Sequence, residues 1–214
     1  MRGWGLVIET AGPSSQVGLV KDGQPVGGLV WDWPQQHSER LVWQTQQVLE
    51  TAGLAWDSIR YAVYHQGPGS HTGLRIGLTA VKAWALSLGW AVYPVPLMRV
   101  LAWLGRTVGA SDLILGLWET RGGQAYGQVW QATTPLDSPA LHPLAVWETE
   151  TPAEALVVGN CFLPGRKTLY VPHIRWPWVA ACAAEVEPVE DPLRLSAMVP
   201  LYFRPFVPTQ RKSS

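Results

Sequence analysis

Short apolar runs separated by turn residues dominate the first third of the chain. Three such runs predict three strands, at residues 4–10, 16–21 and 27–33. The pair Asp22-Gly23, between the second and third runs, is a strong hairpin signal. A helix is expected from His37 to about Thr51. The chain therefore begins with an antiparallel meander that leads into a helix.

The elements that follow alternate between strand and helix. The pattern predicts a strand at residues 58–64, a helix at 73–88, a strand at 90–95 and a linking helix at 97–106. A three-strand meander continued by right-handed parallel crossovers is how ribonuclease-H-like and actin-like domains are built. We therefore predict an α/β, actin-like fold with mixed sheets.

The second half of the chain resembles a reduced copy of the first. Two strands are expected around the turn Arg121-Gly122-Gly123, and shorter elements follow. The predicted segments are strands at 112–119, 124–131, 141–147 and 156–159, a short helix opened by a capping box at 151–154, and a helix at 176–187. We predict two lobes, residues 1–98 and a smaller one at 99–208, with a disordered tail at 209–214.

The helix predicted at residues 73–88 is apolar around most of its circumference. Its most regular apolar face contains Leu74, Leu78, Val81, Ala85 and Leu88. The polar strip is narrow and contains Arg75, Thr79 and Lys82. Such a helix must be covered on two sides. We expect the chain's own sheet on one side and a second helix, from this chain or from a partner, on the other.

The first predicted helix carries a tryptophan on its polar side. Trp43 lies opposite the stripe that faces the core, beside Gln46, Gln47 and Glu50. An exposed tryptophan on such a face indicates either a partner contact or cover by a neighbouring loop of the same chain. The pattern does not choose between the two.

Composition narrows the class of protein. The 214 residues include 16 Lys plus Arg and 16 Asp plus Glu, so no global charge attracts nucleic acid or an anionic membrane. Two cysteines, Cys161 and Cys182, are too few for a disulfide framework or a zinc site. No signal peptide or long apolar run is present, which favours a cytoplasmic location and no membrane partner.

The segment Gly67-Pro68-Gly69-Ser70 is a tight turn between a buried strand and a helix. Backbone N–H groups that converge at a helix N-terminus can bind an anion, here near Gly67, Gly69, Ser70 and Thr72. The alternative is a sharp turn without a ligand, in which glycine supplies a positive φ. The spacings typical of nucleotide loops are absent.

Catalytic signals are sparse. The sequence has no nucleophile motif, and its five histidines never fall at the i, i+4 spacing of a helical metal site. Glu9 and Glu119 are the acids best placed to face a cleft between the lobes, since each ends the first strand of its half. Either one could equally be an ordinary exposed carboxylate at a strand end.

The segment GPGSHTGLRIG at residues 67–77 closely resembles the GPGSFTGLRIG signature of the bacterial TsaB family, subunits of tRNA threonylcarbamoyladenosine biosynthesis. Weaker likenesses follow in the family's order and extend over nearly the whole chain. They are LVIETA at the first strand, QQHSERLVWQTQQVLETAG at the first helix, ETRGGQAYGQVW in the second half and PLYFRP near the end.

The resemblance implies an actin-like, non-catalytic subunit without a cofactor. TsaB proteins pair with their paralogue TsaD, which transfers threonylcarbamoyl to the adenosine beside the anticodon in tRNAs that read codons starting with A. The ATPase TsaE joins the pair, and tRNA is contacted indirectly. TsaD holds a metal with two histidines in a V-x-H-x-x-x-H segment. Here that register begins at Val95 and places Leu97 and Leu101 at the two ligand positions, and leucine cannot bind a metal.

The resemblance also implies a surface for the partner helices. The residues that it points to are Trp43, Gln47, Leu74, Arg75, Leu78, Val81 and Lys82. A glutamate at Leu74 or Leu78 would weaken partner binding if that face lies between chains, or prevent folding if it faces the sheet. Without its partner, the chain could form a two-fold homodimer through the same apolar surface.

Some positions depart from the family pattern. Glu9, Ala11, His71 and Glu119 stand where the family often has Asp, Ser, Phe and Asp, which puts a nucleotide role for the cleft in doubt. An alternative function is a small-molecule kinase or ATPase that uses Glu9 and the turn at Gly67. A peptidase is a further alternative, against which the missing metal pair and the missing nucleophile argue.

Overall fold

The computed structural model describes residues 1–32, 37–109, 111–120 and 122–202. The strands are Trp4–Glu9 (β1), Ser15–Lys21 (β2), Gln24–Trp31 (β3), Ile59–Gly67 (β4), Ala91–Pro96 (β5), Leu113–Glu119 (β6), Gln124–Gln131 (β7), Thr134–Pro135 (β8), Ala140–Pro143 (β9), Leu156–Gly159 (β10) and Thr168–Tyr170 (β11). The helices are His37–Thr51 (α1), His71–Leu88 (α2), Leu97–Thr107 (α3), Leu144–Glu150 (α4), Trp176–Cys182 (α5) and Pro192–Ala197 (α6). In the described ranges, no helix is long and apolar enough to cross a membrane.

The first sheet has the strand order β3-β2-β1-β4-β5. The meander β1 to β3 is antiparallel, while β4 and β5 join β1 as parallel strands. The central strands β1 and β4 are buried almost throughout because helices cover both faces of the sheet. The edge strand β3 is mostly exposed. The predicted meander with parallel crossovers is confirmed.

The second sheet repeats this plan, and its strands other than β6 and β7 are short. Its main order is β11-β10-β6-β7-β8, and β9 also pairs with β7. Strands β6 and β7 are antiparallel, and β10 and β11 are added in parallel. The second half is therefore a reduced copy of the first, as its pattern predicted.

Helix α3 and helix α5 join the two sheets through one hydrophobic core. This core combines Val7 and Val63 of the first sheet with Ile114 and Val158 of the second, and with Leu101 of α3. A second core fills the opposite face of the first sheet, beneath α1 and α2. The predicted boundary between residues 98 and 99 falls within α3, and the division into lobes at that point stays a prediction.

Three predicted elements of the second half are corrected by the structure. The strand expected at 141–147 is β9 followed by α4, because Trp147 reaches the core from a helix and its Nε1 donates to the Ala125 carbonyl at 2.9 Å. The helix expected at 151–154 is absent, since Thr151 caps the C-terminus of α4 and Pro152 follows. The helix expected at 176–187 ends at Cys182 and continues as a 3₁₀ turn, Ala183–Glu185.

The sequence analysis missed β11 and α6. Strand β11 has only three residues. Helix α6 begins with Asp191 accepting from the N–H groups of Leu193 and Arg194, and Pro192 occupies the first turn. That pair of residues is a recognisable start signal. Trp33, Arg121 and the predicted tail at 209–214 lie outside the described residues, as do the last three residues of PLYFRP.

Candidate partner-binding surface

The first turn of α2 packs tightly on the loop that follows β1. A Cβ added at Gly73 or Gly77 would overlap Thr10, and one added at Gly69 would lie 2.6 Å from the Ala11 carbonyl oxygen. Only glycine leaves room for so close an approach. The glycine spacing of the 67–77 segment is therefore required by the packing of α2 against this loop.

Hydrogen bonds fix the same contact. The Ser70 N–H donates to the Ala11 carbonyl at 2.8 Å, and the Thr10 hydroxyl donates to the Gly73 carbonyl at 2.8 Å. Ser70 Oγ caps the helix by accepting from the Gly73 N–H at 3.2 Å. Two of the N–H groups that an anion would need are thus already bonded within the chain, which supports the interpretation of a structural turn.

Gly67 and Thr72 do not distinguish an anion site from a purely structural turn. Gly67 is buried with φ +94°, the left-handed region that favours glycine, and Thr72 is exposed on the first turn of α2. An anion or nucleotide site at Gly67, Gly69, Ser70 and Thr72 stays an untested prediction.

Glu9 lies in the interior, and the prediction that it faces an open cleft is wrong. Its side chain is fully buried. Oε1 accepts from the N–H groups of Ala11 at 2.7 Å and Gly12 at 3.0 Å, while Oε2 contacts Nδ1 of the buried His65. The carboxylate therefore holds the β1–β2 turn in shape. Glu119, by contrast, is exposed, and its N–H donates to Asn160 Oδ1.

Tyr64 ties the centre of the sheet to α2. Its hydroxyl is buried and donates to the Leu74 carbonyl at 2.8 Å. Burial, with a smaller contribution from the Glu9 carboxylate, raises the pKa of Tyr64. The phenol therefore stays protonated and keeps its donor for α2.

Three of the predicted interface residues belong to the chain's own core. Leu74, Leu78 and Val81 are 0%, 5% and 0% exposed and pack in the core beneath α2. As partner contacts they are a wrong prediction, because the sheet already covers the face that carries them. A glutamate at Leu74 or Leu78 is therefore expected to prevent folding.

The polar strip of α2 contacts the end of the described chain. Arg75 Nε donates to the Tyr202 hydroxyl at 3.0 Å, and Lys82 Nζ donates to the Ser196 carbonyl at 2.7 Å. The His71 ring stacks on Tyr202 with centroids 4.2 Å apart. The second cover that α2 requires is therefore supplied partly by the chain itself, through α1, α6 and the residues after α6.

Exposed apolar side chains gather where α1 meets the edge strand β3. Trp43 is 45% exposed and meets Trp31 of β3 edge-on, with centroids 6.0 Å apart. Val26 and Val42 are exposed nearby on the same two elements, and Gln47 is half-buried. We call Val26, Trp31, Val42, Trp43 and Gln47 the α1–β3 surface.

A groove of about 460 Å³ runs along this surface between strand and helix. Its walls include Val26 and Leu29 from β3, and Trp43, Gln47 and Val48 from α1. The sequence analysis named Trp43 and Gln47 but missed the contribution of β3. The signal was available, because a strand at a sheet edge leaves one side open for contact.

Comparison with known proteins finds similarity to TsaD-type and TsaB proteins. A family model described as TsaD, tRNA N6-adenosine threonylcarbamoyltransferase, matches residues 24–117. The tRNA threonylcarbamoyladenosine biosynthesis protein TsaB of Escherichia coli K12 is 29% identical over 126 residues, which are 59% of this chain and 54% of that protein. The TsaB protein of Bacillus subtilis 168 matches with the same identity and the same shares. The chain is similar to TsaB proteins over this part of its length.

The match to the curated TsaB proteins spans about half of their length. Two solved structures from Pseudomonas aeruginosa extend the likeness in fold to nearly the whole chain. One is described as an uncharacterized protein with similarity to peptidase YEAZ, with TM-score 0.78, 20% identity, and 94% of this chain and 100% of that chain covered. The other is YeaZ, with TM-score 0.73, 21% identity, and 94% and 99% covered. The α/β, actin-like fold predicted from the sequence is confirmed.

The resemblance to TsaD implies two metal-ligand positions, and in this chain both are occupied by leucines. Leu97 and Leu101 lie on the first turns of α3 and are 1% and 0% exposed in the core between the sheets. They offer no donor atom, so this region does not fit a metal. Within residues 1–32, 37–109, 111–120 and 122–202, no group of three or more His, Cys, Asp and Glu side chains could hold a metal ion.

Proposed function

We propose that this chain is a non-catalytic subunit that binds a TsaD-type transferase. In this role it is required for forming threonylcarbamoyladenosine next to the anticodon of tRNAs that read codons starting with A. The observation that carries the proposal is the replacement of both metal-binding positions of the TsaD segment by the core residues Leu97 and Leu101. A relative of the transferase that has lost its metal ligands, but keeps the fold, is suited to support the reaction rather than to perform it.

The α1–β3 surface is the proposed contact with the transferase. It presents a half-exposed tryptophan and two exposed valines beside a groove, and it lies on helices and strands whose inner faces are fixed by the core. Tryptophan is enriched among the residues that dominate binding energy, and an interface of standard size buries on the order of 1,600 Å² in total. Arg75 and Lys82 of α2 stay part of the proposed contact, although both side chains also bond to residues near the end of the described chain.

Further partners are part of the same proposal. The TsaE ATPase joins the pair, and tRNA is contacted through the transferase rather than by this chain alone. The formal net charge of zero is consistent with this indirect role, since the phosphate backbone of RNA is bound mainly by a surplus of basic residues. Without the transferase, the apolar α1–β3 surface could support a two-fold homodimer.

The alternative of a kinase or ATPase lacks a supporting observation. That function would need Glu9 as a base or metal ligand in an open cleft. The carboxylate is instead buried and bonded to Ala11, Gly12 and His65.

Reconstitution tests the proposal. Purified TsaD, TsaE and this chain are incubated singly and in combination with unmodified tRNA and the threonylcarbamoyl donor, and the modified nucleoside is measured by mass spectrometry. We expect no product from this chain alone, little from TsaD and TsaE, and full modification when all three are present. Full modification without this chain, or product from this chain alone, would contradict the proposal.

A further inference from the structure

A pocket of about 560 Å³ lies on the opposite side of the first sheet from α1 and α2, between β3 and the start of α5. We call it the β3–α5 pocket. Its lining includes Pro13, Ser14, Gln16, Val30, Asp32, His173, Ile174, Arg175, Trp176 and Pro177. The volume falls within the range of small-molecule sites, which are mostly apolar with a few polar groups.

The walls of the β3–α5 pocket are fixed by one buried side chain. Gln16 Nε2 donates to the Ile174 carbonyl at 2.9 Å, and Gln16 Oε1 accepts from the Trp176 N–H at 3.1 Å. Gln16 is 4% exposed, so these bonds form in the interior and join β2 to the start of α5. The pocket is therefore formed before any ligand arrives.

The Ser14 hydroxyl, which lines the pocket, has a hydrogen-bond donor without a partner among the described residues. Ser14 is 4% exposed, and its Oγ accepts from Gln16 Nε2 at 3.0 Å. Among the described residues, the Ser14 hydroxyl donates no hydrogen bond. A hydroxyl carries one donor as well as its acceptor lone pairs, and a buried donor is expected to find a partner. An acceptor atom of a ligand would supply one.

The rim of the pocket carries a negative and a positive side chain that do not form an ion pair with each other. Asp32 provides a carboxylate and Arg175 a guanidinium, and His173 adds an imidazole. Within the described part of the chain, no ion pair joins Asp32 to Arg175. Opposite charges that line one pocket but do not reach each other can each bind the opposite charge of a ligand. Val30 and Trp176 supply the main apolar part of the lining.

We propose that the β3–α5 pocket binds a small zwitterion with the charge pattern of an α-amino acid. The ligand carboxylate bonds to Arg175 and to the Ser14 hydroxyl, the ammonium bonds to Asp32, and an apolar side chain rests on Val30 and Trp176. This site is independent of the proposed partner surface, because the first sheet separates the two.

Calorimetric titration of the full chain with matched probes tests the site. L-leucine and L-phenylalanine carry both charges, N-acetyl-L-leucine lacks the ammonium, and L-leucinamide lacks the carboxylate. We expect saturable binding of at least one of the two amino acids. The loss of a charge-assisted hydrogen bond should weaken binding of each leucine derivative roughly tenfold or more relative to L-leucine.

Two variants assign the charges, and two others serve as controls. Asp32→Asn should weaken binding of the amino acids roughly tenfold but leave binding of N-acetyl-L-leucine unchanged. Arg175→Gln should weaken binding of the amino acids and leave L-leucinamide unchanged. Arg2→Gln and Asp57→Asn change exposed charges outside the pocket and should have no effect. Melting temperatures establish that each variant is folded.

Two outcomes would overturn the proposal. One is the absence of saturable binding of both amino acids at millimolar concentration. The other is binding that Asp32→Asn and Arg175→Gln leave unchanged. Neither outcome bears on the transferase reconstitution, so the site and the proposed function fail separately.

Discussion

Glu9 and Glu119 end the first strand of their respective sheets, but their surroundings give them different roles. Glu9 is buried and accepts two backbone hydrogen bonds, whereas Glu119 is exposed. The sequence places both acids correctly along their strands. It could not predict that Glu9 points inward, because His65 and the β1–β2 turn reach it only in the folded chain. That Leu97 and Leu101 cannot bind a metal, by contrast, follows from residue type alone.

Removal of the Glu9 carboxylate is expected to destabilise the chain. Glu9→Ala leaves the buried N–H of Ala11 without its acceptor and deprives Gly12 and His65 of their partner. We expect the free energy of unfolding to fall by about 2–4 kcal/mol in urea titrations. The matched variant Glu119→Ala removes an exposed carboxylate and should change it by less than about 0.5 kcal/mol. Equal effects of the two variants would contradict the role assigned to Glu9.

The two buried thiols predict a loss of stability at alkaline pH. Burial, with smaller contributions from neighbouring carboxylates, raises the pKa of Cys161 to about 11 and that of Cys182 to about 12. The thiols of the unfolded chain ionise near pH 8.5, so above that pH the unfolded state is favoured. The stability is therefore fully present below about pH 8.5 and is lost as the pH rises toward the folded values.

Urea titrations at about pH 8 and about pH 10.5 measure this effect, for which we expect a loss of roughly 1–2 kcal/mol per thiol. Cys182→Ala should lose less stability over the same interval than the unchanged chain. An identical loss in the variant would show that Cys182 contributes nothing to the fall in the free energy of unfolding at alkaline pH.

At the scale of elements, sequence patterns predicted the first half well and the second half less well. The elements from β1 to α3 have regular apolar spacing and clear turn signals, and their predicted bounds differ from the structure by a few residues. In the second half, frequent proline and glycine interrupt short elements, so a helix such as α4 was taken for a strand. The pattern of α2 predicted cover on two sides but could not show that its own chain supplies much of that cover.

The close approach of α2 to the β1 loop gives a direct test at this scale. Gly73→Ala places a methyl group against the Thr10 carbonyl, and backbone atoms on both sides must shift. We expect a loss of about 3 kcal/mol in the free energy of unfolding, at the upper end of overpacking effects. Gly27→Ala is the control, since a Cβ there meets open space, and it should cost no more than about 1 kcal/mol. A neutral Gly73→Ala would remove the packing explanation of the glycine motif.

At the scale of the whole molecule, the order of elements was sufficient to predict the fold. The meander followed by parallel crossovers, repeated in reduced form, admits few arrangements, and the actin-like one is the arrangement found. How the two sheets pack could not be predicted, because the core between them is built from α3, α5 and distant strands. The α1–β3 surface was only half predicted, since it depends on β3 being an edge strand beside α1.

The central claim is that this chain acts by binding a transferase through the α1–β3 surface. Calorimetric titration of the chain with purified TsaD measures that interaction, with Trp43→Glu as the surface variant. Leu136→Glu is the matched control, because Leu136 is similarly exposed but lies after β8 on the second sheet. We predict a saturable one-to-one complex. The dissociation constant should be at least roughly 30-fold larger for folded Trp43→Glu and unchanged for Leu136→Glu. The absence of a complex, or a complex that folded Trp43→Glu leaves unchanged, would contradict the account.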